Sequence, residues 1–215
     1  MIQLHYHPGN ASMTPHLLLR ELGLPFELKY VDRASGAHKS AEYLKLNPNG
    51  LIPVLVDGDL VLYETAAIVL HLVDTHPAAA LAPALGTAER AQFYKWLFWL
   101  ANSVQAMMPH YFYSDRMVAP GNAAGALEVK AQAEAKLGTM FDQIDACLAA
   151  PGGPWMMGQR FSALDPYTFM LCRWSRSFAR PARTLPHIGP FLDRMLARPA
   201  TQKMFEAEKL SAPWF

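Results

Sequence analysis

Glu64 and Thr65 place a carboxylate and a hydroxyl directly before the apolar run Ala66–Val73, which is predicted to form a helix. Either side chain can cap that helix. The free N–H groups of a helix start also suit a carboxylate, and Glu64 suits an ammonium group. From the residues alone, simple helix capping is the plainer interpretation, and a site for a ligand that carries both charges is the alternative.

A turn, a strand and a hairpin lead up to this pair. Asn47–Gly50 has turn composition, because Asn and Gly tolerate positive φ and proline fixes its own φ. Leu51–Val56 is a predicted strand with Pro53 near its start, and Asp57–Gly58 predicts a hairpin to the return strand Leu60–Leu62. A helix N-terminus beside an extended, unpaired strand edge suits a small peptide-like ligand.

Strands and helices alternate before His76, and only helical spacing follows residue 86. The earlier elements are predicted as strand Gln3–Tyr6, helix Pro15–Leu22, strand Phe26–Val31 and a helical piece Ala41–Leu46. The later helices are predicted as Thr87–Met108, Ala123–Leu148, Asp165–Ala179, Ile188–Arg198 and Thr201–Lys209. The predicted fold class is an α/β unit followed by an all-α unit.

Composition excludes several classes of protein. A formal charge of +1 with 17% charged residues argues against a nucleic-acid partner. The sequence has no apolar run of about 18 residues, so a transmembrane helix is not expected. The two cysteines, Cys147 and Cys172, lack metal-site spacing, and a reducing cytoplasm is the expected location. Hydrophobic content of 52% favours a buried subunit interface.

The ordered pattern N-P-N-G-x-I-P-V-L, D-G-D-L and E-T-A-A-I resembles the glutathione-binding half of the cytosolic glutathione transferases. Matching motifs extend from Tyr6 to Pro77, and a weaker helical signature continues to the end. The resemblance implies a thioredoxin-like domain over 1–77, a linker over 78–86 and an all-helical domain over 87–215. It also implies glutathione as co-substrate, no metal, and a homodimer.

The resemblance assigns roles in glutathione binding to particular residues. Ile52–Pro53 is expected to be a cis peptide whose backbone pairs with the cysteinyl backbone of glutathione. Glu64 and Thr65 are expected to hold the γ-glutamyl group. In theta-like members, a Gly-x-His element similar to the one ending at His38 contacts the glycine carboxylate; the lysine that follows is an alternative, and a solvated loop histidine is the plain interpretation.

The chemistry then required is formation of a thiolate at the glutathione sulfur. A free thiol has a pKa of about 8.5, and lowering it by about two units takes roughly 2.7 kcal/mol. A helix N-terminus supplies about 0.3–1 kcal/mol, and a hydrogen bond to the charged sulfur supplies about 1.5–3 kcal/mol. The two together suffice, so a donor is expected at the start of the first helix.

Ser12 is the predicted donor, with Asn10 as its nearest alternative and Tyr6 as a third. The Ser12 hydroxyl can rotate to follow the sulfur, whereas Asn10 offers a fixed amide N–H. With the preceding Pro-Gly pair kept in register, the serine of delta-like members falls on Asn10 and the cysteine of beta-like members on Ala11. The class is left open, and a disulfide-forming catalytic cysteine is absent.

Four apolar residues are candidates for a second pocket that would bind the electrophile, with core packing as the alternative: Met13, Met108, Tyr111 and Phe112. Elsewhere, Ser162-Ala163-Leu164-Asp165 has the form of a capping box at a helix start. The resemblance marks this capping box as a folding determinant without a catalytic role.

The predicted function is a glutathione transferase that activates the thiol of glutathione to attack a small apolar electrophile. A glutathione-dependent peroxidase or dehalogenase, and a non-catalytic protein that binds apolar ligands, are the alternatives. A transferase-like interaction module with a dead site is disfavoured by the intact Ile52–Pro53 and Glu64–Thr65 pairs. Measuring the turnover of glutathione with an electrophile distinguishes these candidate functions.

Overall fold

A four-stranded mixed sheet forms the first part of the computed structural model, which describes residues 1–150 and 152–215. Its spatial order is β2-β1-β3-β4, with β1 parallel to β2 and β3 antiparallel to both of its neighbours. The strands are β1 (Ile2–Tyr6), β2 (Phe26–Tyr30), β3 (Val54–Asp57) and β4 (Leu60–Tyr63). This order agrees with the predicted alternation of strands and helices.

The predicted hairpin is confirmed. Asp57 pairs with Leu60 across a two-residue turn, and Gly58 takes a φ of +60°, which glycine adopts without steric cost. The strand before the turn begins at Val54 rather than at the predicted Leu51. Proline at position 53 has no N–H to give to a sheet ladder, so regular pairing begins one residue after it.

Three helices accompany the sheet: α1 (Met13–Glu21), α2 (Ala41–Leu46) and α3 (Thr65–Thr75). The first begins two residues before the predicted start and ends before Gly23, whose φ is +64°. The second has the predicted bounds, and the Ser40 hydroxyl caps it by accepting the Tyr43 N–H. Helices α1 and α3 contact each other, and their apolar faces are buried.

The C-terminal segment packs with the sheet. Residues Met1–Leu85 and Arg194–Trp214 form one compact unit, whereas Gly86–Asp193 and Phe215 form a second. The helix α9 (Pro199–Ala207) contacts α1, and the guanidinium of Arg198 binds the carboxylate of Glu21 at 2.6 and 2.7 Å. The predicted helical domain over 87–215 therefore differs from the structure, because a helix pattern shows which face is buried but not which element covers it.

Helices dominate the second unit in the described residues, which also contain two isolated antiparallel bridges between residues 155 and 160. Its regular helices are α4 (Ala88–Trp99), α5 (Ala106–Phe112), α6 (Ala123–Ala149), α7 (Leu164–Trp174) and α8 (Ile188–Leu196), the last of which runs into the C-terminal segment. The predicted helix Thr87–Met108 is interrupted by a π-helical segment, Leu100–Gln105. Pro109 has no N–H to give to the carbonyl of Gln105, four residues earlier, which favours irregular bonding here.

The predicted capping box lies at the start of α7. Asp165 Oδ2 accepts the Ser162 N–H at 2.7 Å, and Ser162 Oγ accepts the Leu164 N–H at 3.3 Å. The other carboxylate oxygen of Asp165 accepts the Met156 N–H at 2.8 Å. The fully buried Asp165 thus ties the preceding loop to the helix, which agrees with a structural role.

Candidate active site

The register of the sheet brings three predicted segments to one end of it. Val54, the first residue of β3, pairs with Tyr63 at the end of β4 and with His5 near the end of β1. Ile52, Glu64 and the loop after Tyr6 therefore all lie just beyond the same end of neighbouring strands. This end holds the candidate site.

The backbone of Ile52 is open to a ligand. The Ile52–Pro53 peptide is cis, as predicted. Neither the N–H nor the C=O of Ile52 has a hydrogen-bond partner within residues 1–150 and 152–215, and the side chain is buried in a cluster with Tyr43 and Val54. A fixed residue thus offers one donor and one acceptor, the arrangement needed to pair with an extended peptide.

Two side chains hold the neighbouring Leu51 in place. The Tyr43 hydroxyl and the Asn47 amide each donate to the Leu51 carbonyl at 2.9 Å. Burial raises the pKa of Tyr43 well above its usual range, so its phenol remains a donor. Sequence reasoning identified the turn at Asn47 but gave this side chain no role; its signal was an Asn that opens an Asn-Pro-Asn turn, where Asn side chains often bond the local backbone.

Glu64 and Thr65 begin α3 without the simple cap that is the plainer interpretation of the residues alone. Glu64 is exposed, has a φ of +71°, and makes no capping hydrogen bond with its side chain among the described residues. A non-glycine residue held at positive φ costs about 1–3 kcal/mol and is common at ligand clamps. The Thr65 hydroxyl also lacks a partner in the described chain, so both side chains are available to a ligand.

The turn that carries His38 lies against the turn before Ile52. Lys39 Nζ donates to the Asn49 carbonyl at 3.1 Å. A Cβ at Gly50 would come within 2.8 Å of the His38 carbonyl, which shows how closely the two turns approach. His38 Nδ1 is buried with no hydrogen-bond partner in the part of the chain that the structure describes. Both predicted alternatives, His38 and Lys39, are therefore near the site.

The environment of His38 is cationic. Burial, followed by the charges of Lys39, Arg33 and His7, lowers the pKa of His38. The imidazole is therefore expected to be neutral at pH 7 when no anion is bound. A ligand carboxylate would compensate the surrounding positive charge, which makes this corner suitable for an acidic group.

Ser12, the first predicted thiol donor, is not available to a ligand in this structure. It is fully buried, and its hydroxyl donates to the His7 carbonyl at 3.2 Å while accepting the His7 N–H at 3.3 Å. The two bonds close the loop from His7 to Ser12. This corrects the prediction: a sequence shows that a hydroxyl lies near a helix start but not that the local backbone occupies it.

Asn10 offers a side-chain hydrogen-bond donor near the start of α1. Its Oδ1 accepts the Ala11 N–H at 2.6 Å, so Nδ2 must point away from Ala11 with its two N–H donors. Asn10 is half-buried, and Nδ2 has no partner among residues 1–150 and 152–215. The Asn10 carbonyl accepts the N–H of Met13, the first residue of α1, which places the amide at a helix N-terminus.

Tyr6, the third candidate, packs at the α1 face. Its ring lies edge-on to the rings of His16 and Tyr30, with centroids 6.3 and 6.0 Å apart. Burial, followed by the nearby Glu208 and Tyr30, raises the pKa of Tyr6. The phenol therefore stays protonated, and its direction, which strand parity could not decide, is toward α1.

Most of the predicted pocket residues belong to the cores of their own units. Met13 and Met108 are buried, and the buried Tyr111 donates from its hydroxyl to the Ser177 carbonyl at 2.8 Å. Phe112 is 42% exposed. The pocket prediction is corrected for the first three, because apolar residues at helical spacing pack in a core as readily as they line a cleft.

Residues 1–150 and 152–215 contain no group of three or more His, Cys, Asp or Glu side chains that could hold a metal ion. No helix in these ranges has the length and apolar character to cross a membrane.

Known proteins share this sequence pattern. The glutathione S-transferase N-terminal domain family matches residues 10–75. Glutathione S-transferase GST-4.5 of Xanthomonas campestris pv. campestris is 31% identical over 98% of this chain and 100% of the relative. Glutathione S-transferase GstA of Escherichia coli O157:H7 is 31% identical over 97% of this chain and 100% of the relative.

Solved structures share the fold. A glutathione S-transferase from Xylella fastidiosa superposes with a TM-score of 0.88 at 30% identity, covering 98% of this chain and 100% of the other. A glutathione transferase homologue from Sulfitobacter with bound glutathione has a TM-score of 0.87 at 26% identity, covering 96% of this chain and 98% of the other. These similarities confirm the predicted thioredoxin-like sheet with a helical C-terminal region. The chain belongs to the glutathione S-transferase family.

Proposed function

We propose that this glutathione transferase binds glutathione along Ile52 and uses the Asn10 amide to stabilise its thiolate for attack on a small apolar electrophile. The open backbone N–H and C=O of Ile52 carry the proposal, because they form a peptide-binding edge beside the start of α3. Detoxification of such electrophiles is the role that we propose.

Each end of glutathione has a chemical counterpart at this end of the sheet. The γ-glutamyl carboxylate suits the first N–H groups of α3 and the Thr65 hydroxyl, while its ammonium suits the exposed Glu64 carboxylate. The cysteinyl backbone suits Ile52. The glycine carboxylate suits the cationic corner around His38 and Lys39. We therefore assign glutathione an extended pose with its sulfur toward Asn10.

Asn10 activates the thiol without accepting its proton. An amide N–H is a donor that cannot take up a proton near pH 7, so the thiol proton leaves to water. Nδ2 and the N-terminus of α1 then stabilise the sulfur charge by about 1.5–3 and about 0.3–1 kcal/mol respectively. The thiolate attacks the electrophilic carbon, a C–S bond forms, and a leaving group such as halide departs with the electron pair of the broken bond.

We propose a homodimer in the cytoplasm, with no nucleic-acid or membrane partner. Exposed apolar side chains on the first unit support an association surface, including Leu51 at 60% and Leu60 and Val61 at 40%. The two cysteines are free, which suits a reducing compartment.

The direct test is glutathione-dependent turnover of aryl halides, peroxides and epoxides by the purified chain. Conjugate formation with at least one halide or epoxide supports the proposal. Turnover of peroxides alone identifies the peroxidase alternative. Tight glutathione binding without turnover of any of the three would identify a non-catalytic binding protein.

A further inference from the structure

A buried carboxylate from the C-terminal segment reaches the loop that carries Asn10. Glu208 directly follows α9 and is only 2% exposed. Its Oε2 accepts the Gly9 N–H at 2.9 Å, and its Oε1 lies 2.8 Å from His16 Nδ1. Because a carboxylate oxygen only accepts, His16 is the donor in the second contact. One side chain thus binds both the loop and α1.

Gly9 directly precedes Asn10, so the Glu208 contact lies one residue from the proposed sulfur donor. Gly9 has a φ of +70°, and a Cβ at that position would lie 3.9 Å from the Leu210 side chain. The C-terminal segment therefore lies next to the loop at the residue before the proposed sulfur donor. The Asn10 N–H in turn donates to the His7 carbonyl at 3.1 Å, so the loop has little freedom once Gly9 is fixed.

We propose that Glu208 is a positioning residue for thiol activation, which holds the Gly9 N–H so that the Asn10 amide stays aimed at the glutathione sulfur. This rests on the proposed role of Asn10. Attachment of α9 to α1 alone does not require the Glu208 carboxylate, because Arg198 and Glu21 already form a two-bond ion pair between these parts. What Glu208 adds is the contact with the loop.

The direction in which the bound-thiol pKa changes distinguishes a positioning role of Glu208 from a purely electrostatic one. Removing a negative charge near the site would by itself lower the pKa of the bound thiol, because a nearby anion disfavours a thiolate. Loss of the Gly9 contact would misplace Asn10 and raise that pKa. A rise in Glu208→Ala is therefore specific to positioning.

The experiment compares the wild type, Glu208→Ala, Asn10→Ala and the control Arg198→Met. The control breaks the other link between α9 and α1 without touching the loop. The pKa of bound glutathione, kcat and KM are measured at a temperature at which circular dichroism shows every variant folded. We expect Glu208→Ala to raise the bound-thiol pKa by about one unit, a tenfold change in ionisation, and to lower kcat at neutral pH. Arg198→Met should lower Tm and leave the bound-thiol pKa unchanged.

If Glu208→Ala does not fold, Glu208→Asp tests the positioning role instead, because the shorter side chain cannot reach Gly9 and His16 together. A bound-thiol pKa equal to or below that of the wild type, or a rise matched by Arg198→Met, overturns the inference. If Asn10→Ala raises the pKa and the Glu208 variant does not, only the positioning role fails. If Asn10→Ala has no effect, the proposed donor fails and the inference with it.

Discussion

At the scale of single residues, the proposed site contains polar groups that make no hydrogen bond within the described residues. Thr65 is buried at the start of α3, yet its hydroxyl has no partner in the described chain. Thr75, at the other end of the same helix, bonds the His71 carbonyl in the usual way for a helical threonine. Because the Thr65 hydroxyl makes no hydrogen bond within the described residues, it can form one with the ligand that we propose.

Thr65→Ala is therefore expected to weaken glutathione binding by about 1.5–3 kcal/mol, the value of a hydrogen bond to a charged group. The dissociation constant from calorimetry measures this. Thr75→Ala is the matched control, because it removes a hydroxyl from the same helix away from the site, and it should leave binding unchanged. An unaltered dissociation constant in Thr65→Ala would leave that residue with only a structural role.

At the scale of elements, the start of α8 is held by an acidic side chain from another helix. Asp145 on α6 accepts the N–H groups of His187 and Ile188 at 2.8 Å, and the His187 ring at 2.9 Å. Burial acts to raise the pKa of Asp145, but these hydrogen bonds outweigh it and the pKa is lowered. The start of α8 is thus fixed by an ionised carboxylate.

A lowered folded-state pKa means that Asp145 stabilises the protein above its unfolded pKa of about 3.9 and loses this effect as pH falls through the folded value. Asp145→Asn should lower the free energy of unfolding by about 1.5–3 kcal/mol at pH 7. The difference from the wild type should shrink below about pH 4. Urea unfolding across pH measures it.

Asp142→Asn is the control for this prediction. Asp142 lies on the same helix and pairs with Arg180, but both side chains are about half exposed, at 48% and 56%. Exposed ion pairs contribute little to the free energy of unfolding, so no clear change in the urea midpoint is expected for Asp142→Asn. A pH-independent difference between Asp145→Asn and the wild type would contradict the role of the ionised carboxylate.

At the scale of the whole molecule, the C-terminal segment completes the unit that contains the proposed glutathione site. Residues 194–214 lie with the sheet and bring Glu208 to Gly9. The exposed apolar residues Leu51, Leu60 and Val61 leave the first unit with surface suited to association. A second copy of the chain is the partner that we propose for this surface.

Sedimentation equilibrium at micromolar concentration is expected to give twice the mass of one chain. Burial of apolar surface between two copies would stabilise that dimer. The matched measurement in high salt should give the same mass, because an apolar interface is not screened by ions. A mass equal to that of one chain under both conditions would contradict the proposed dimer.

The features that could be predicted from the sequence are those that depend on residues close together along the chain. The Asp57–Gly58 hairpin, the bounds of α2 and the Ser162–Asp165 cap follow from turn and capping chemistry within a few residues. The burial of Ser12 and the place of Glu208 depend on which distant or backbone groups meet them, which periodicity does not encode. The cis Ile52–Pro53 peptide was therefore predicted from the sequence, whereas the burial of Ser12 was not.

The identity of that donor is the central claim, and the pKa of enzyme-bound glutathione tests it most directly. Thiolate absorbance is titrated with pH in the wild type, Asn10→Ala, Asn10→Ser and Ser12→Ala. Asn10→Ala should raise the pKa by about one to two units, because it removes a hydrogen bond to a charged sulfur. Asn10→Ser should retain part of the effect, since its hydroxyl can donate from the same position.

Ser12→Ala should lower stability and raise the bound-thiol pKa less than Asn10→Ala does, because the buried hydroxyl acts only on the loop. A larger rise in Ser12→Ala than in Asn10→Ala, or a bound-thiol pKa that Asn10→Ala leaves unchanged, would contradict the proposed mechanism.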